Sequence, residues 1–237
     1  AAKDWSGVMT HLPHGFRVLR FDLRGHGASQ KPPGPYRIQD FTGDLVALMD
    51  AVGFERAHVA GFSLGGLIAQ SLALSHPERV DRLALLSTVA GRTEKERERV
   101  QGRLDFIASS HPAAYFDQSV PRWFTPGFIA ENPDLIAEKK RIVSSMDQAA
   151  YAAAYHALAF TDFGEDLSAI RAETLVATGE NDIGSNPRMA RFMATTIPHA
   201  RLRILPDLHH SILIEAPGLV AGMLAEFFQD GTVKETP

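Results

Sequence analysis

Apolar residues fall into two alternating rhythms along the chain: short unbroken runs, and longer stretches with apolar positions at helical spacing. The short runs are Phe16–Leu23, His58–Phe62, Arg82–Ser87, Thr174–Gly179 and Arg201–Leu205, each read as a strand. Helical spacing appears in Asp4–Leu12 (Trp5, Val8, Leu12) and in a helix carrying Leu45, Leu48, Met49 and Val52. Asp40 is read as the cap of that second helix and Gly53 as its stop. Leu67 to Leu74 continues as a helix until Pro77, Asn186-Pro187 opens another with proline in the favoured first position, and Leu219–Phe228 closes the chain. Residues 31–35 (KPPGP) form a loop, since their prolines suit neither a helix interior nor a central strand. Strands alternating with helices predict an α/β fold, a parallel sheet covered by helices on both faces. Residues 89–160 break the alternation. They are charged at first (Arg92–Arg103), then aromatic and proline-bearing, then alanine-rich, and they read as wholly helical. The expected organisation is a core of residues 1–88 and 161–237 with residues 89–160 inserted as a helical cap.

Composition narrows the function classes. With 237 residues, 45% hydrophobic and 22% charged, the chain has the makeup of an ordinary globular protein able to bury a large core. A formal charge of -4 gives no electrostatic footprint for nucleic acid or an anionic membrane. There is no cysteine, which rules out disulfides and thiolate metal sites and fits a reducing cytoplasm. No apolar run approaches the roughly 20 residues of a membrane helix, and no signal peptide precedes Ala1. The expectation is a cytoplasmic protein.

The strongest chemical signal is Gly61-Phe62-Ser63-Leu64-Gly65-Gly66, set between a strand and a helix. G-x-S-x-G in that context is a nucleophile elbow, a strained turn that lifts a serine hydroxyl above the sheet. Side chains at the glycine positions are expected to collide with the neighbouring helix and strand. The following helix points its positive end at Ser63, and the Leu64 backbone N–H can donate to an oxyanion. A serine hydroxyl needs a base to take its proton, and in this architecture acid and histidine follow the serine in chain order, each after a strand. Asp182 follows Thr174–Gly179, and the pair His209-His210 follows the last strand. Glu180 competes with Asp182 but sits earlier in the turn, where a solvent-facing side chain is expected. The other eight histidines lack this placement and are read as structural.

These segments resemble the α/β-hydrolase superfamily. Asp22-Leu23-Arg24-Gly25-His26-Gly27 resembles its D-x-R-G-x-G turn, Gly61–Gly66 its elbow, and Leu205–His210 with Glu215-Ala216-Pro217 its terminal histidine segment. The resemblance implies that His210 is the base, with His209 standing where the family usually has glycine, and that His26 belongs to a structural turn. The 3-oxoadipate enol-lactonase group is the subfamily most similar: Arg122-Trp123-Phe124-Thr125, Phe128-Ile129 and Tyr151–Ala159 leading to Asp162 resemble its cap. Two departures stand out. Family members begin with further strands and an H-G-x-G loop that supplies a second oxyanion donor, whereas this sequence opens near the end of that loop, as a truncated chain would. The usual Thr-Pro after the acid is Asn186-Pro187 here.

The resemblance implies a serine hydrolase of carboxylic esters or lactones, with Ser63 as nucleophile, His210 as base and Asp182 orienting it, and without metal or organic cofactor. Arg122 is the candidate partner of a substrate carboxylate and Trp123 a candidate pocket wall, against simpler readings as a solvated arginine and a core aromatic. The charged run Arg92–Arg103 reads as a solvated helix face with mixed-sign pairs. Perhydrolase or haloperoxidase-type chemistry and carbon–carbon bond hydrolysis are alternatives on the same triad. A ligand-binding protein with little turnover is the alternative of another class. The expected partner is a small-molecule ester or lactone, and homo-oligomerisation is left open.

Overall fold

The computed structural model of the chain describes residues 1–229. Its centre is a four-stranded sheet in sequential order, β1 (Ala57–Phe62), β2 (Val80–Leu86), β3 (Glu173–Gly179) and β4 (Ala200–Leu205). All three pairings are parallel, with Gly61 opposite Leu85, Leu85 opposite Val176 and Val176 opposite Leu202. Parallel neighbours require crossovers. Helix α3 (Leu64–Ser75) supplies the one from β1 to β2, and α9 (Pro187–Thr196) the one from β3 to β4. Leu83, Ala84, Leu85 and Leu86 are fully buried, which explains why β2 reads as an unbroken apolar run.

Helices cover both faces. Helix α2 (Ile38–Ala51) packs with α3 and α9 on one side through Met49, Leu72 and Met193. Helices α1 (Ser6–His11), α10 (Ile212–Glu215) and α11 (Pro217–Gln229) cover the other through Val8, Leu213, Leu224 and Phe227. Between β2 and β3 the chain runs irregularly to Thr93 and then forms five helices: α4 (Glu94–Ser109), α5 (Pro112–Trp123), α6 (Pro126–Glu131), α7 (Pro133–Ser144) and α8 (Gln148–Phe160). Each start has a local cause. Thr93 and Glu96 form a capping box on α4, Thr125 caps α6, Asp147 caps α8, and proline opens α5, α6 and α7.

Two expectations about elements are corrected. Phe16–Leu23 forms no strand, and β1 is an edge of the sheet among the described residues. The composition suits a strand, but a strand needs a neighbour to pair with, and no described segment pairs with this one. Side chains hold it instead: the Arg17 guanidinium sits 4.5 Å over the Phe54 ring, and Arg20 donates to Ser6 Oγ at 3.0 Å. Asp40 is not the cap of α2 but lies inside its first turn, where its carboxylate accepts the Arg37 N–H at 2.7 Å. Among the described residues no helix is long and apolar enough to cross a membrane.

Candidate active site

Ser63 stands between the end of β1 and the first residue of α3, with φ 54° and ψ −117°. A non-glycine residue there costs on the order of 1–3 kcal/mol, so its surroundings must hold it in place. They do so through the backbone. The Ser63 N–H donates to Leu86 C=O at 2.9 Å, and the Thr88 hydroxyl donates to Ser63 C=O at 2.7 Å. A Cβ on Gly61 would lie 2.2 Å from Gly65 O, and one on Gly66 would lie 2.3 Å from Thr88 Cβ. The expectation that every elbow glycine relieves a collision fails at Gly65, whose Cβ would meet nothing within 4 Å.

Asp182 follows β3 and is buried. Its Oδ1 accepts the backbone N–H groups of Gly184 and Ser185, each at 2.9 Å, and its Oδ2 faces His210 Nδ1 at 2.7 Å. Burial alone would push this carboxyl up. The His210 charge and hydrogen bond, with the two backbone donors, outweigh burial and hold it below the usual carboxylate range. An ionised carboxylate only accepts, so Nδ1 carries a proton, and in the neutral ring Nε2 is left with a lone pair. That Nε2 lies 3.2 Å from Ser63 Oγ. Ser63, His210 and Asp182, read from three distant segments, therefore meet in one hydrogen-bonded chain. His209 is not part of it, and the exposed Glu180 accepts the Asp207 N–H at 3.2 Å.

The chain opens into a cavity of about 1160 Å³ walled on the far side by the inserted helices. Leu64 lines it at the first position of α3, where a helical N–H has no acceptor within the helix. Arg122 and Trp123, at the end of α5, also line it. Trp123 meets Tyr115 and Phe116 edge-on, with ring centroids 5.8 and 6.0 Å apart. Arg122 is half-buried and has no ion pair among the described residues. Burial, then the nearby Arg103 charge, pushes its pKa below the ordinary guanidinium value. Among the described residues no group of three or more His, Cys, Asp or Glu side chains is placed to hold a metal ion.

The model of the family described as the alpha/beta hydrolase fold matches residues 1–217. The chain belongs to that family. This α/β-hydrolase is 31% identical over 207 residues to 3-oxoadipate enol-lactonase 2 of Acinetobacter baylyi, covering 87% of this chain and 77% of that protein. The enol-lactonase of Burkholderia xenovorans LB400 superposes with a TM-score of 0.90 at 32% identity, over 96% of this chain and 86% of the other. A thermophilic esterase from Thermogutta terrifontis, solved with malate bound, superposes with a TM-score of 0.87 at 26% identity, over 97% and 85%.

Some residues of this α/β-hydrolase carry more than their sequence positions indicate. Glu215 accepts Thr125 N–H at 3.2 Å as well as the Thr125 hydroxyl, and Ser211 N–H donates to Trp123 C=O at 2.8 Å. The His210 loop is thereby bolted to the end of α5. The run Arg92–Arg103 is not simply a solvated face either. Arg92 is buried and donates to Leu158 and Thr161 C=O, each at 2.8 Å, and Arg103 turns into the cavity. The available signal was spacing: Arg99 and Arg103 share a helix face one turn apart.

Proposed function

We propose that this protein is a serine hydrolase of carboxylic esters or lactones, working through an acyl-enzyme on Ser63. The observation that carries the reading is the unbroken relay from Ser63 Oγ through His210 to buried Asp182 at the cavity floor. As the Ser63 oxygen attacks the substrate carbonyl, its proton passes to His210 Nε2. Asp182 holds the tautomer that leaves Nε2 free and stabilises the imidazolium that forms. The tetrahedral oxyanion takes a hydrogen bond from Leu64 N–H, at the positive end of α3. His210 then returns the proton to the leaving oxygen. A water deprotonated by His210 next attacks the acyl-enzyme, releasing the acid and restoring Ser63. For a lactone the leaving alkoxide or enolate stays tethered, so one ring opens and nothing departs until water has entered.

The substrate class follows from the far wall. Arg122 faces the cavity as an unpaired cation and Trp123 supplies a flat apolar surface, an arrangement suited to a compact substrate bearing a carboxylate. Similarity to two enol-lactonases supports this: 3-oxoadipate is a dicarboxylic acid, and closing one carboxyl into a lactone leaves the other free. Hydrolysis of p-nitrophenyl esters and small lactones tests the reading. Wild-type protein is expected to hydrolyse them, Ser63→Ala to lose all but background, and Arg122→Ala to weaken carboxylated lactones more than neutral ones. Absence of turnover in a folded protein would favour a ligand-binding role, and indifference to the substrate carboxylate would remove the enol-lactonase-like reading.

A further inference from the structure

The cavity holds a second cation that the reading above does not use. Arg103 lines it from α4, as Arg122 does from α5. Its guanidinium lies 4.6 Å over the Tyr115 ring and donates to Ser119 Oγ, and that hydroxyl donates to Tyr115 C=O at 2.6 Å. Ser119 is fully buried, so Arg103, which also lines the cavity, is fixed from one side.

No carboxylate of the protein neutralises this pair among the described residues. Of the carboxylates lining the cavity, Glu96 is engaged by Arg188 and Asn186, Asp182 by His210, Asp4 by Lys139 and the N-terminal ammonium, and Asp147 by the Ala150 N–H that it caps. Tyr151 and Tyr155, beside the arginines, bring no negative charge. Burial pushes Tyr155 up to about 12 and Tyr151 well above the ordinary phenol value, although Arg103 acts in the opposite direction on both. Two half-buried like charges lining one space repel each other; Arg122 is lowered first by burial and then by the Arg103 charge. Arg99, exposed at the cavity rim one turn before Arg103, adds further positive charge on the path inward.

We infer that Arg103 is a second specificity-determining residue, and that with Arg122 it selects esters or lactones carrying two free carboxylates remote from the scissile carbonyl. The two guanidiniums come from different helices, and Arg103 is held against α5, the helix that carries Arg122, by Tyr115 and Ser119. Both line the cavity and neither has a carboxylate partner among the described residues, so two anionic groups can be matched one to each. Each can grip a carboxylate through parallel N–H donors, and each carboxylate replaces a missing counter-charge. The inference rests on the serine hydrolase reading for its reaction and extends it to the charge of the substrate.

The test compares kcat/KM for three p-nitrophenyl esters whose acyl chains bear no, one or two free carboxylates, with the uncatalysed rate subtracted. The expected result is a preference of about tenfold for the second carboxylate, the scale of a hydrogen bond to a charged group. In Arg103→Gln that preference should fall to about one, while Arg103→Lys should keep part of it. A merely structural role would lower all three esters together and leave the ratio unchanged, which would overturn the proposal. Should Arg103→Gln fail to fold, the wild-type ratio is followed with added salt: it should shrink as ions screen the pair, and a salt-independent ratio counts against the proposal. Equal rates across the series, still abolished by Ser63→Ala, would defeat this inference alone. Hydrolysis that survives Ser63→Ala would defeat the serine hydrolase reading itself.

Discussion

Asp182 illustrates how a single side chain sets the chemistry of its neighbours. Two backbone N–H groups fix one carboxylate oxygen, so the other can only point at His210 Nδ1. The loop is rigid because the Thr178 hydroxyl donates to Ser185 C=O at 2.7 Å from inside β3. Replacing the carboxylate with an amide preserves the shape but offers an N–H where an acceptor is needed, turning the imidazole to the wrong tautomer. Asp182→Asn is therefore expected to fold normally and to lose roughly four orders of magnitude in kcat, with KM changed far less. Steady-state kinetics on one ester checks this. A loss of only a few-fold would mean that the carboxylate does not govern His210. These three positions were legible in the sequence because the strained serine turn dictates its own residue types and the chain order of the partners is fixed. Arg103 was not, because a charged run at helical spacing looks alike whether it faces water or a cavity.

Among the elements, α4 is held by a contact network that its own sequence only half announces. Glu96 closes the capping box with Thr93, and its carboxylate also accepts from Arg188 and from Asn186 Nδ2 at 2.8 Å. Asn186 in turn caps α9, so one carboxylate ties the start of α4 to the start of α9. Burial pushes Glu96 up, but the hydrogen bonds from Arg188, Asn186 and Thr93 prevail and hold it down at about 2, against an ordinary 4.5. The carboxyl is thus more acidic folded than unfolded. Its stabilising contribution is present above about pH 4.5 and disappears as the pH falls towards 2. Urea midpoints measured across that window should drop more steeply for the wild type than for Glu96→Gln; parallel slopes would contradict the assignment. Strand legibility followed the same division between local and distant causes. Buried runs such as β2 and β3 announced themselves, whereas Phe16–Leu23 has strand composition without a pairing partner. Pairing depends on residues far away in the chain, which local pattern cannot supply.

At the scale of the whole molecule, the helices α4–α8 meet the core through apolar packing, with Ala154 and Ala157 of α8 in one cluster with Leu67 and Ile68 of α3, and through polar fastenings around one cavity. Thr125 on Glu215, Trp123 on Ser211 and Arg188 on Glu96 join the inserted helices to the segments that carry His210 and Asp182. The wall that would sort substrates is therefore referenced to the groups that would react with them. The α/β pattern was readable from alternation, while the packing of the helices of residues 94–160 against the core depends on these long-range contacts. The proposed reaction requires Ser63 to be the activated nucleophile of this assembly. The most direct measurement is exposure of the folded protein to a fluorophosphonate, followed by peptide mapping of the adduct. Prompt stoichiometric modification of Ser63, much slowed in His210→Ala, is the predicted result. An unmodified Ser63, or modification that proceeds equally well without His210, would contradict it.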